Sequence, residues 1–224
     1  MTLSADVTDF VIYGAPISPF AQRVLMQLRA KAIVPPLREP PGGLHSDSFR
    51  ALSPIDKIPV LAVAGRHIPE SAVIAEWIED THPLPSLRPA DPLERANMAV
   101  IARIADIYVM NRMLPLFANL DPKTRDAAVV AKTLADVGQG LDWLAHYISP
   151  TGFAAGETLT LADCSCTPIL WFARQFMPAF GAPEPIAARP KLAAYWERIG
   201  AHPAGAATMA DLAAALAAVR QNAA

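Results

Sequence analysis

A proline-rich stretch without any hydrophobic period divides this sequence into two parts with different patterns. Residues 82–92 (HPLPSLRPADP) contain four prolines, which is typical of an ordered linker between domains. Before this stretch, short apolar runs alternate with turn residues, whereas after it apolar residues recur at helical spacing. We therefore predict an N-terminal domain over residues 1–82, a linker over 83–92 and a second domain over 93–224.

The first part has the pattern of a small mixed α and β domain. Phe10 to Tyr13 (FVIY) is a short apolar run that Gly14 ends, which indicates a buried strand. Ser18 and Pro19 then have the residue types of a helix N-cap and of a first helical position. The remaining predicted elements are an irregular edge strand within residues 33–43, where prolines exclude a central strand, a hairpin over 58–68 and a helix from 71.

The second part is predicted to be wholly helical, because it is rich in alanine and two apolar stripes follow helical periods. A helix over about 161–177 is predicted to begin with a capping box of Thr160 and Asp163, and further helices are predicted at about 190–200 and 208–221. The two stripes are Val100, Ile104, Ile107 and Tyr108, and Val130, Leu134, Val137, Leu141, Leu144 and Ile148.

Composition and charge argue against several classes of protein. Cys164 and Cys166 are two residues apart, which matches neither a redox pair nor a zinc site, so we expect buried thiols, no metal and a reducing cytoplasm. The net charge is −2 and no run of Lys and Arg is present, which argues against nucleic acid as a partner. No apolar run reaches about 18 residues and no signal peptide is evident, so we expect neither membrane spanning nor secretion.

Four segments, taken in order, resemble those of the cytosolic glutathione transferases over nearly the whole chain. They are YGAPISPFAQRVLMQL near the start, SPIDKIPVL, IPESAVIAEWIE and FAAGETLTLADC. The resemblance implies an α+β architecture, with a thioredoxin-like N-terminal domain that binds glutathione followed by an all-helical C-terminal domain. It also implies a homodimer, with glutathione as co-substrate and a small hydrophobic electrophile as its partner in the reaction.

Ser18 is the catalytic candidate that the resemblance implies. It matches the position where serine-type members carry a hydroxyl that donates a hydrogen bond to the glutathione sulfur, and where omega-type members carry cysteine. A free thiol has a pKa of about 8.5, so a donor at a helix N-terminus would raise the reactive thiolate fraction. The alternative is that Ser18 only caps the helix before Pro19.

The resemblance also implies a set of glutathione-binding residues. Pro59 matches a cis-proline that presents the backbone of Ile58 to the cysteinyl part of glutathione, although a trans proline at a strand start would be the ordinary expectation. Glu70 and Ser71 match an acidic-serine pair that holds the γ-glutamyl end at a helix start. Two further candidates are His45, at a position where tau-like relatives have lysine, and Phe20, beside the sulfur.

For the electrophile, the resemblance implies an apolar pocket between the two domains, and each candidate residue has ordinary core packing as its alternative. The candidates are Tyr108, Met113, Phe117, Trp171 and Phe172. Two other functions stay open: a glutathione-dependent isomerase or reductive-cleavage enzyme that uses the same thiolate, and a non-catalytic binding or regulatory protein with this fold.

Overall fold

The structure is a computed structural model that describes residues 9–34 and 37–222, so two prolines of the predicted edge segment, Pro35 and Pro36, lie outside the described residues. The chain forms two compact units. The first contains residues up to 86 together with residues from 210 onward, and the second contains residues 87–209. The division falls inside the predicted linker, and the grouping of residues 210–222 with the first unit was not predicted.

The first unit contains four strands and three helices. The elements in chain order are β1 (Phe10–Tyr13), α1 (Pro19–Ala30), β2 (Leu37–Arg38), α2 (Asp47–Leu52), β3 (Val60–Val63), β4 (Arg66–Pro69) and α3 (Ser71–Thr81). The strands form one mixed sheet with the order β2-β1-β3-β4. Strand β1 is parallel to β2 and antiparallel to β3, and β3 forms a hairpin with β4.

The sheet and two helices enclose the apolar core of the first unit. Phe10 and Ile12 of β1 alternate into that core, where Leu28 of α1 and Ile78 of α3 pack with them. The predicted strand 10–13, the hairpin and the helix starting at residue 71 are confirmed. The predicted edge strand is present as the two-residue strand β2, which occupies one edge of the sheet.

A line of buried polar side chains joins α1 to α3. The ammonium group of Lys31 lies 2.8 Å from Oε1 of Glu79, and both side chains are buried. One turn earlier on α1, Gln27 donates to the same Glu79 oxygen at 3.0 Å and to the carbonyl of Ala75 at 2.8 Å. Because a buried charge needs a partner, this pairing restricts how α1 and α3 can slide past each other.

The second unit is helical, as predicted. Its helices are α4 (Pro92–Ile104), α5 (Asn111–Phe117), α6 (Ala127–Tyr147), α7 (Leu161–Phe176), α8 (Pro190–Ala201) and the first turns of α9 (Pro203–Asn222). A π-helical turn, Ala105–Met110, joins α4 to α5 without a break. None of the helices in the described part of the chain combines the length and apolar character needed to cross a bilayer.

One predicted stripe is only partly correct. Ile104 is buried, but Val100, earlier on α4, is 40% exposed, and Ile107 and Tyr108, inside the π turn, are half-buried. A π turn contains about one more residue than an α turn, so the buried side of the turn departs from the period of α4, and Val109 is buried there. The stripe of α6 is confirmed, since its members are buried except for the half-buried Leu134.

The predicted capping box is present at the start of α7. The amide and the hydroxyl of Thr160 donate to Oδ2 of Asp163 at 2.8 and 3.1 Å, and the Ala154 amide donates to Oδ1 at 2.8 Å. Burial nevertheless raises the pKa of the Asp163 carboxyl from 3.8 to about 6, although these hydrogen bonds act in the opposite direction. Cys164 and Cys166, on the same helix, are buried free thiols, as predicted.

We expect Gly140→Ala to destabilise the protein although alanine is the better helix former. A β-carbon at position 140 would lie 1.9 Å from the carbonyl oxygen of Tyr108 in the π turn, so backbone must move. The expected loss is about 1–3 kcal/mol or more in the free energy of unfolding, measured by urea denaturation.

Gly138→Ala, two residues earlier on α6, is the matched control. The nearest heavy atom to its added β-carbon is the flexible end of Arg189 at 3.7 Å, so the variant should gain about 0.5–1 kcal/mol from helix propensity. A loss of stability in both variants would contradict the steric explanation.

The buried carboxyl of Asp163 predicts a pH dependence of stability. Its pKa is about 6 in the folded chain, above its usual 3.8, so between these values the folded state binds more protons than the unfolded state. The free energy of unfolding from this group should therefore fall by about 2 kcal/mol as pH rises from 4 to 7.

The measurement is urea denaturation of wild type and Asp163→Asn at each pH, because asparagine does not titrate in this range. The free energy of unfolding of the wild type should fall relative to that of Asp163→Asn as pH rises. A constant difference, or a shift in favour of the wild type, would show that folding does not raise the pKa of Asp163.

Candidate functional site

Ser18 stands at the N-terminus of α1, after the loop that follows β1. Its backbone is extended, with φ −72° and ψ 122°, and its hydroxyl accepts a hydrogen bond from the Ala21 amide at 3.3 Å. Pro19 occupies the first helical position, so the predicted cap is confirmed. A hydroxyl accepts and donates at the same time, so capping leaves the Ser18 proton available to a ligand atom.

The peptide bond between Ile58 and Pro59 is cis, as the resemblance predicted. Pro59 is buried directly before β3, and Ile58 is half-buried. Because β3 pairs with β1 through Val60 and Tyr13, the Ile58 backbone lies at the same end of the sheet as the loop that leads to Ser18.

Glu70 and Ser71 begin α3, as predicted. Glu70 is exposed and adopts a left-handed backbone conformation with φ 70°, which is costly for a residue other than glycine and concentrates at functional sites. Ser71 is buried, and its hydroxyl accepts a hydrogen bond from the Arg23 guanidinium at 3.1 Å.

Arg23 is a residue of the site region that the sequence analysis did not identify. It is buried on α1, five positions after Ser18, and its guanidinium lies 5.7 Å from the ring centroid of Phe20, which is half-buried. It therefore connects the helix of Ser18 to the helix of Ser71. Its signal in the sequence was a basic residue four positions before Gln27, on the same side of the predicted helix.

His45 belongs to a small charged group before and after α2. Its Nδ1 lies 2.9 Å from Oδ2 of Asp56, and Nε of Arg50 donates to the same oxygen at 3.0 Å. The hydrogen bond from His45, together with Arg50, lowers the pKa of the Asp56 carboxyl. The His45 ring is 63% exposed, so Asp56 holds Nδ1 while the rest of the ring faces solvent. Neither Asp56 nor Arg50 was predicted from the sequence as a site residue.

All five predicted electrophile-pocket residues lie in the second unit. Phe117, Trp171 and Phe172 are close together: the ring centroids of Phe172 are 6.0 Å from Phe117 and 5.4 Å from Trp171. Tyr108 is part of a separate group, with its ring 5.0 Å from Trp143. Met113 is fully buried, which agrees with the core alternative.

The described residues contain no group of side chains suited to bind a metal ion. Within residues 9–34 and 37–222, no three His, Cys, Asp or Glu side chains are arranged to hold a metal ion. The chemistry that the first unit offers is instead a hydroxyl at a helix N-terminus, a second helix start with a buried serine, and an exposed histidine.

Comparison with known proteins assigns both parts of the chain. Residues 12–86 match the family described as glutathione S-transferase, N-terminal domain, and residues 104–203 match glutathione S-transferase, C-terminal domain. Glutathione S-transferase 3 of Zea mays is 30% identical over 90% of this chain and 93% of its own length. The probable maleylacetoacetate isomerase 1 of Drosophila melanogaster is 26% identical over 75% of this chain and 71% of its own.

A solved structure shares the fold. The glutathione S-transferase of Methylobacterium radiotolerans, determined in complex with glutathione sulfonate, covers 89% of this chain and 94% of its own, with a TM-score of 0.74 and 24% identity. The predicted architecture, a thioredoxin-like domain with a small mixed sheet followed by a helical domain, is therefore confirmed.

Proposed function

Because the chain belongs to the glutathione S-transferase family and is a glutathione transferase, we propose that Ser18 activates the glutathione sulfur for attack on a small hydrophobic electrophile. The observation that supports this role is the position of Ser18 as N-cap of α1, with a hydroxyl proton that the cap does not use. A serine there can accept from the helix and donate to a ligand.

The reaction depends on ionising a thiol. A free thiol has a pKa of about 8.5, so little thiolate is present at neutral pH. A hydrogen bond from Ser18 and the positive end of the α1 dipole both favour the anion. The thiolate then donates its electron pair to an electrophilic carbon, a carbon–sulfur bond forms, and the leaving group departs with the electrons of the bond that breaks.

The rest of glutathione is proposed to bind through three places in the first unit. The Ile58 backbone pairs with the cysteinyl part, and Ser71 with the α3 N-terminus holds the γ-glutamyl carboxylate, while Glu70 takes the amine. Arg23 beneath Ser71 adds a positive charge on that side. His45 is proposed to donate to the glycyl carboxylate, and Phe20 to pack beside the sulfur.

Two alternative functions remain to be compared with conjugation: a glutathione-dependent isomerase or reductive-cleavage enzyme, and a non-catalytic binding or regulatory protein with the same fold. A glutathione-dependent isomerase would use the same thiolate, adding to the substrate and leaving again, as the name of the Drosophila relative suggests for that protein. We favour conjugation because the Zea mays transferase matches a larger share of the chain. Calorimetric titration tests both enzymatic functions, because the absence of binding heat with millimolar glutathione would rule out both of them.

Assembly and location are inferred in the same way. We infer a homodimer in the cytoplasm, since members of this family are usually dimeric and both cysteines are free thiols. Size-exclusion chromatography with light scattering tests the dimer: a mass of one chain at micromolar concentration would contradict it.

Ser18→Ala should raise the pKa of the bound glutathione thiol by about one to two units, because a charge-assisted hydrogen bond contributes about 1.5–3 kcal/mol and one unit corresponds to about 1.36 kcal/mol. Conjugation at neutral pH should slow accordingly, while glutathione affinity changes much less. The measurement is thiolate absorbance of bound glutathione against pH.

Ser46→Ala is the matched control, because Ser46 caps α2 by accepting from the Phe49 amide at 3.1 Å. It also loses a serine cap in the first unit, yet it should leave the thiol titration unchanged. Superimposable titration curves for wild type and Ser18→Ala would reduce Ser18 to a helix cap.

Asp56→Asn should weaken glutathione binding roughly three- to tenfold, since the carboxylate that orients His45 is lost. Asparagine tolerates the left-handed backbone of position 56, where φ is 56°. The readout is the Kd for glutathione by calorimetry.

The control is Asp47→Asn, because Asp47 also pairs with Arg50, at 3.2 Å, and is fully exposed. It should leave the Kd unchanged. Equal weakening in both variants would mean that Arg50 and the fold of α2 matter, rather than the contact between His45 and Asp56.

A further inference from the structure

The buried guanidinium of Arg23 contacts two residues that are proposed to bind glutathione. Its Nη1 donates to the hydroxyl oxygen of Ser71 at 3.1 Å, and the guanidinium carbon lies 5.7 Å from the centroid of the Phe20 ring. Arg23 is 4% exposed and Ser71 is 5% exposed. An arginine this deeply buried affects a ligand mainly through the residues that it contacts.

The direction of the hydrogen bond between Arg23 and Ser71 is fixed by residue type. An arginine side chain has five N–H donors and no acceptor. The Ser71 oxygen must therefore accept, and the Ser71 proton must point away from Arg23. In the part of the chain that the structure describes, the Ser71 hydroxyl makes no other hydrogen bond. Its proton is thus available to a ligand atom.

The Ser71 proton lies where negative charge is favoured. Ser71 is the first of the 11 residues of α3, and the first amides of a helix, together with its dipole, attract an anion. A glutamine at position 23 could accept as well as donate, so that the Ser71 proton could turn inward. Arginine excludes this alternative, because it offers the proton no acceptor.

We propose that Arg23 is a positioning residue for glutathione, which fixes the Ser71 hydroxyl with its proton directed at the γ-glutamyl carboxylate. The inference rests on the proposed role of Ser71 in binding that carboxylate. It goes beyond the positive charge of Arg23, because a charge acts on the carboxylate whether or not residue 71 carries a hydroxyl. The contact with the Phe20 ring helps to hold the guanidinium in place.

Three thiols test which part of the ligand depends on Arg23. They are glutathione, γ-glutamylcysteine, which lacks the glycine, and cysteinylglycine, which lacks the γ-glutamyl group. The Kd of each is measured by chemical-shift titration of the 15N-labelled protein, which covers millimolar affinities and needs no electrophile. Arg23→Met removes the N–H donors and keeps an aliphatic stem. Arg29→Met is the matched control, because Arg29 also lies on α1 and pairs with Asp211 instead of Ser71.

We expect Arg23→Met to bind glutathione and γ-glutamylcysteine at least about tenfold more weakly than the wild type. Its Kd for cysteinylglycine should change less than about twofold, because this thiol lacks the carboxylate that Ser71 binds. Arg29→Met should leave all three Kd values within about twofold of the wild type. An equal loss for all three thiols in Arg23→Met, or no loss for any, would overturn the proposal.

A double-mutant cycle tests whether Arg23 acts through Ser71. Ser71→Ala should weaken glutathione binding at least about tenfold. Adding Arg23→Met to Ser71→Ala should weaken it less than about threefold further, because no hydroxyl remains to be oriented. The same factor for Arg23→Met in both backgrounds would overturn the inference and leave the proposed role of Ser71 intact. No loss in Ser71→Ala would overturn that role, and the inference with it.

Arg23→Gln replaces Arg23→Met in every comparison if the methionine variant does not fold. Glutamine keeps a polar group at the buried position, but its carbonyl oxygen can accept the Ser71 proton. The expected losses are therefore the same, and the same outcomes would contradict the proposal.

Discussion

The buried ion pair between Lys31 and Glu79 is the contact on which the geometry of the first unit most depends. Removing one member of such a pair costs about 3–5 kcal/mol, because the other charge stays buried. The pair sets the register of α1 against α3, with Gln27 in the next turn. Arg23, one turn before Gln27 on α1, contacts Ser71 at the start of α3. The same polar interface therefore holds the two helix starts that are proposed to bind glutathione.

The proposed mechanism separates activation from affinity. Ser18 acts on the ionisation of one sulfur atom, whereas the Ile58 backbone, Ser71 and His45 act on parts of glutathione that do not react. This division suits a family that uses one thiol against many electrophiles, because the thiol can be activated without contacts to the second substrate.

Local patterns predicted the elements well, and tertiary contacts decided the rest. The Ser18 cap and the capping box of Asp163 are formed by residues three apart, so the sequence contains all their information. The cis bond at Pro59 followed from family resemblance alone. The contacts of Arg23 with Ser71 and of His45 with Asp56 depend on how distant segments meet. The backbone of the π turn before α5 packs against Gly140 of α6, which is also a contact between distant segments.

Because the end of α9 belongs to the first unit, the order of synthesis affects how the two units can fold. Residues 210–222 are synthesised after every residue of the second unit. The whole second unit has therefore been synthesised before the last helical segment of the first unit. The sheet, α1 and α3 are synthesised early, but the part of α9 that packs with them is synthesised more than a hundred residues later. The second unit is a continuous stretch of chain and can fold during translation, whereas the glutathione-binding unit is completed last.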